Sequence, residues 1–155
     1  TPWTARLPSR LELYDPWREL RENWPEIEVV SEPMSGGLLG ELRYPVIALR
    51  SGTSAAQRRC TLAHELVHLE RGVIDCGPWS AREELRVHAE AARRLVGLTA
   101  LARAMSELGG DHDVGALAGL VDVDQQTMRL RLRLLTPRER SRLRAAMGPA
   151  SGWVA

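Results

Sequence analysis

The chain has 155 residues, an apolar content of 44% and a formal net charge of +1. That length suits one domain with a small appended subdomain, and the apolar content is enough for a real core. No apolar run approaches a membrane span, and Arg6 and Arg10 are not followed by the apolar segment of a secretory signal, so a cytoplasmic protein without membrane contact is expected. Two cysteines, Cys60 and Cys76, suit that compartment and are too few for a disulfide framework. The near-neutral total gives no global attraction to nucleic acid. Its distribution is uneven: residues 1–120 hold 14 arginines against 17 acids, and residues 121–155 hold seven against three.

Residues 1–10 show no periodicity and read as a lead-in. Asp15-Pro16 is a helix start, with Asp as N-cap and Pro at the first helical position, and Trp17, Leu20 and Trp24 follow at helical spacing before Pro25. The segments 27–30, 38–43 and 46–50 read as strands of a small antiparallel sheet, with Ser35-Gly36-Gly37 and Tyr44-Pro45 as turns. Ser51-Gly52-Thr53-Ser54 then opens a helix over about 55–70, closed by Gly72, with Leu62, Leu66 and Leu69 as its core stripe. A loop holding Cys76 leads to a helix over about 80–95. Further helices are expected over 98–108, 114–121, 124–135 and 137–147. The expected fold is α+β, with a first domain over 1–108 and a C-terminal helical subdomain over 109–155.

The helix over 55–70 contains His64-Glu65-Leu66-Val67-His68. Histidines four residues apart stack on one helical face and can grip one tetrahedral zinc, while Glu65 beside them can take a proton from water. A catalytic zinc takes three protein ligands and keeps one position open. The third is best sought on the next helix, where Glu84 is followed one turn later by His88, a side chain able to steady a ligand. Glu83 points about 100° away from Glu84 on an ideal helix. His88 could itself ligate, and Cys76 could reach in from its loop as an inhibitory fourth ligand. Tyr44, His88 and Arg86 are the candidate oxyanion donors.

These residues resemble the ImmA/IrrE family of bacterial zinc metallopeptidases. In that family an H-E-x-x-H helix precedes a helix of the form E-x-x-A-N-x-F-A-x-x-L-L-M-P. Glu84 falls on the metal-binding Glu, His88 on the polar position four later, and Ala91, Leu95 and Val96 on the small and aliphatic positions. Val87, Glu90 and Gly97 depart from the pattern. The resemblance implies zinc on His64, His68 and Glu84, with Glu65 as general base and later acid in peptide hydrolysis. It also implies a single regulatory protein as substrate, such as a repressor controlling a mobile element, phage or stress response. The strand 46–50 could offer an edge to an extended peptide.

The segment 114–135 has a helix-turn-helix rhythm whose second helix carries Arg129, Arg131 and Arg133. DNA contact is one reading, with guanidinium groups meeting phosphates and guanine edges. A solvated helical face is the other, because three arginines at alternate positions spread over some 200° of an ideal helix. His112 sits in a polar turn and reads as a surface loop residue.

Overall fold

The computed structural model describes residues 13–72, 80–109 and 113–148. Among these, the elements run α1 (Pro16–Asn23), β1 (Glu28–Glu32), β2 (Gly40–Arg43), β3 (Val46–Arg50), α2 (Ala55–Arg71), α3 (Ser80–Leu95), α4 (Leu98–Glu107), α5 (Val114–Leu120), α6 (Gln125–Arg133) and α7 (Pro137–Met147). The fold is α+β, as expected. Residues 1–10, Cys76 and His112 lie outside the described residues. No helix among the described residues is long and apolar enough to cross a membrane.

The chain divides into two compact units, one over Asp15–Leu95 and the other joining the residues before Asp15 to those from Val96 onward. The boundary after Leu95 falls before α4, whereas the sequence reading placed α4 with the first domain. In the unit Asp15–Leu95, the sheet order is β1-β3-β2. β1 runs parallel to β3, with Val30 opposite Ala48, and β2 runs antiparallel to it, with Leu42 opposite Ile47. The sheet is therefore mixed and not wholly antiparallel. A parallel neighbour needs a crossover of a dozen or so residues, and the segment between β1 and β3, containing β2, supplies it. β3 is the central strand, so it cannot offer the free edge anticipated for it. Its Ile47, Ala48 and Leu49 are all fully buried, as expected of a strand covered on both faces.

The core of this unit joins Leu20, Ile27, Ile47, Leu49, Leu62 and Leu66, with Trp17, Trp24, Leu42 and Leu69 packed on it. Each such aliphatic side chain contributes roughly 1.5–3 kcal/mol on burial. Asp15 caps α1, its carboxylate accepting from the Trp17 and Arg18 N–H groups. Ser54 and Gln57 form a reciprocal capping box on α2. Gly72, in the left-handed conformation at φ 67°, closes that helix.

The second unit packs α4 with α5 and α7, and α5 with α6, over the buried Leu101, Met105, Leu117, Met128 and Leu143. Arg131 is part of this interior, with 2% of its surface exposed. Its Nε donates to the Val96 carbonyl at 2.9 Å and its Nη2 to Glu139 at 2.7 Å. Arg131 is thus unavailable to nucleic acid, which corrects its assignment as a DNA contact; Arg129 and Arg133 remain exposed.

Replacing Arg131 with Ala removes the guanidinium donor from the Val96 carbonyl and from Glu139 Oε1. It should destabilise α6 and α7 by about 2–3 kcal/mol in amide hydrogen exchange. The same guanidinium, helped by the Thr136 N–H, holds the Glu139 carboxyl down at about 2, from its ordinary 4.5. A depressed carboxyl lends stability above its unfolded value, and that support fades as the pH falls from about 4.5 toward 2. Glu139→Gln should flatten this acid limb; an unchanged limb would remove the pair from the account.

Candidate metal centre

The histidines of α2 and the glutamate of α3 meet. His64 and His68 present their Nε2 atoms to each other at 3.0 Å. Glu84 places Oε2 3.3 Å from His64 Nε2 and Oε1 2.9 Å from His68 Nε2. The three side chains are the one group among the described residues whose donor atoms converge as a metal site would require. Neighbouring donors around a tetrahedral ion with bonds of about 2.0–2.1 Å lie about 3.3 Å apart, close to the separations seen here. The chemistry agrees with the geometry. Burial, then the charges of His88 and His68, push the His64 imidazole down to about 3, so near neutrality it keeps a free lone pair. A neutral nitrogen and carboxylate oxygens crowding one point leave a place for a cation. His64 Nδ1 is buried without a hydrogen-bond partner among the described residues.

The competitors are accounted for. Glu83 is engaged by Arg71 and by Arg86, the latter at 3.6 Å, and Glu90 pairs with Arg94 at 3.0 Å. Arg86 therefore points to Glu83. Tyr44 is 57% exposed in the turn between β2 and β3, after which Tyr44-Pro45 is a cis bond. Of the three oxyanion candidates, only His88 joins the cluster. Its Nε2 is 3.8 Å from Glu84 Oε2, and its ring centroid is 4.3 Å from that of His64. About half of the His88 side chain is exposed, leaving the ring one open side.

Glu65 sits behind the cluster and is buried. Desolvation raises its carboxyl to about 7 from 4.5, the Glu84 and Glu41 carboxylates add to the rise, and a hydrogen bond from the Leu42 backbone opposes it. Its nearest wall is β2. A Cβ built on Gly40 would lie 3.2 Å from Glu65 Oε1 and would collide with the Thr61 methyl. Sequence reasoning missed Gly40 and Leu42 as site residues. The available signal was a glycine at the start of an otherwise ordinary strand, which often marks close approach of another group.

A mixed α+β domain with an H-E-x-x-H helix whose glutamate is buried against the sheet, and a carboxylate on the following helix, defines the class as metallopeptidase-like. The chain belongs to the Peptidase M78 family: residues 25–133 match the model of the IrrE N-terminal-like domain. Searches of curated proteins and of solved structures returned no match.

A carboxyl raised from 4.5 to about 7 weakens the fold wherever it must ionise. The penalty is absent below about pH 4.5 and complete above about pH 7. In the presence of a chelator, Glu65→Gln should therefore raise the melting temperature by a few degrees at alkaline pH and by nothing near the lower limit. Equal melting of both chains across the range would contradict the desolvation of Glu65.

Proposed function

We propose that the chain is a zinc-dependent endopeptidase that hydrolyses one regulatory protein, of the repressor kind, in a bacterial or phage-infected cytoplasm. The observation that carries this reading is the convergence of His64, His68 and Glu84 beside a buried glutamate that touches an edge strand. Zinc suits a set of two imidazoles and one carboxylate, and when bound there it would polarise the scissile carbonyl and acidify the attacking water.

The chain's own residues supply the rest. β2 is an edge strand of the sheet, and an extended peptide pairing its backbone along β2 would pass Glu65, which Gly40 and Leu42 flank. Glu65, titrating near neutrality, can take the proton from water and return it to the leaving amine. His88, at the open side of the cluster, is placed to donate a hydrogen bond to the developing oxyanion. Tyr44, exposed at the far end of β2, is left to contact substrate residues away from the reacting bond.

The zinc reading predicts about one zinc per chain by elemental analysis, reduced at least roughly 100-fold in affinity by His64→Ala, His68→Ala or Glu84→Ala. Glu65→Gln should keep the metal and lose cleavage by roughly a thousandfold or more. Retained cleavage in that variant would sink the mechanism.

A second reading, a DNA-binding regulator that keeps a peptidase-like zinc core, draws on one observation. α5 and α6 are joined by a short turn in which Asp122 is left-handed, at φ 56°, between the buried Val121 and Val123. Gln126, Arg129 and Arg133 lie exposed along one side of α6. This reading predicts duplex binding that weakens with salt and is lost in Arg129→Ala/Arg133→Ala. Absence of binding at low salt would retire it.

A further inference from the structure

Arg82, Arg86, Ala89 and Arg93 recur at three- and four-residue intervals, making a single stripe along α3. The stripe lies about half a turn around the helix from Glu84 and His88, so it does not belong to the metal cluster. It borders an open groove of about 660 Å³ whose other wall is formed by Val67, Glu70 and Arg71 of α2.

Five arginines and two glutamates line this groove. Both glutamates are taken up by Arg94, which meets Glu70 at 2.6 Å and Glu90 at 3.0 Å. Arg71 and Arg86 share Glu83. Arg82 and Arg93 have no partner among the described residues, and both are exposed. Between them stands Leu85, 70% exposed and the most exposed large apolar side chain among the described residues. An exposed leucine alone is ordinary. One set between two unpaired guanidinium groups, beside a groove lined by the buried Val67, makes a mixed charged and apolar surface.

We propose that this groove docks an extended acidic peptide segment of a partner protein, its carboxylates meeting Arg82 and Arg93 and an apolar side chain resting on Leu85. Charge complementarity selects the occupant. Arg82 and Arg93, unpaired among the described residues and about 16 Å apart along α3, flank the exposed Leu85. An extended segment with spaced acids and an apolar residue between them meets that pattern, whereas a nucleic acid offers phosphates but no aliphatic group for the leucine. The groove makes no use of Glu65 or the metal cluster, so this docking stands apart from the peptidase reading.

The test is fluorescence anisotropy on the full, zinc-loaded chain, with a fluorescein-labelled peptide Glu-Asp-Leu-Glu-Glu-Leu-Asp-Glu whose intactness is checked by mass spectrometry. Binding should weaken as salt rises, and Arg82→Glu/Arg93→Glu should weaken it roughly tenfold more. Leu85→Ser should weaken it by roughly threefold without altering the salt slope. If the charge-reversed chain fails to fold by circular dichroism, Arg82→Gln/Arg93→Gln should shift affinity in the same direction by a smaller factor. Equal affinity in native and variant chains would overturn the proposal. So would equal binding of the peptide with Gln and Asn in place of its acids, or a single-stranded oligonucleotide binding more tightly through the same arginines. The readout is affinity and not cleavage, so failure here leaves the peptidase reading intact, and loss of cleavage elsewhere leaves the groove intact.

Discussion

Two imidazole nitrogens and two carboxylate oxygens gathered within hydrogen-bonding range of one another form an arrangement that packing must impose. Without a cation or a shared proton between them, their lone pairs repel. The unit Asp15–Leu95 is built to hold them in place. α2 is capped at both ends and rests on the central strand through Leu62 and Leu66. α3 packs against α2, and Val87 and Ala92 of α3 are fully buried. Arg94 then joins Glu19 of α1 and Glu70 of α2 to Glu90 of its own helix, and Arg71 of α2 grips Glu83. Exposed pairs of this kind contribute little singly. Sharing one guanidinium among three carboxylates gives them a joint role in setting the rotation of α3, and that rotation decides which glutamate faces the histidines.

The local parts of this arrangement were legible in the sequence because their causes are local. Asp15-Pro16, Ser54 and Gly72 mark helix ends through groups within a few residues, and the four-residue spacing of His64 and His68 needs only a helix to bring the two rings together. The choice between Glu83 and Glu84 was narrowed by spacing alone. What separates them in the fold is Arg71, a partner from another helix that no pattern within α3 announces. Strand order was lost for the same reason. Alternation shows that a segment is a strand but not which strands flank it, and the run Ile47-Ala48-Leu49, buried on both faces, was the one sign that β3 is central.

Arg131 teaches the converse lesson. Arginines at 129, 131 and 133 cannot share one helical face, so a helix packed on one side must turn one of them inward. Here the inward one is the middle residue, and the fold meets its charge with the Val96 carbonyl and Glu139. Burying a guanidinium is costly unless it is paired in this way. Composition counts it among the seven basic residues of the tail, yet its charge is not offered to solvent.

The two carboxylates of the site show how one small cluster can assign different tasks to one residue type. Glu84 is 43% exposed at its side chain and points its oxygens at the histidine nitrogens, while Glu65 is shut behind them against β2. Desolvation and the neighbouring acids raise Glu65 into the range where a proton is readily gained or lost. The same forces make the cluster unfavourable on its own, since a buried carboxyl, a second carboxylate and a desolvated imidazole crowd together. A divalent cation held by His64, His68 and Glu84 would turn those repulsions into attractions, and it would favour the ionised form of Glu65, the form needed by the proposed general base. On the proposed reading, metal affinity and the proton affinity of Glu65 are therefore set by one electrostatic balance, and the absence of a side chain at Gly40 lets β2 approach it closely.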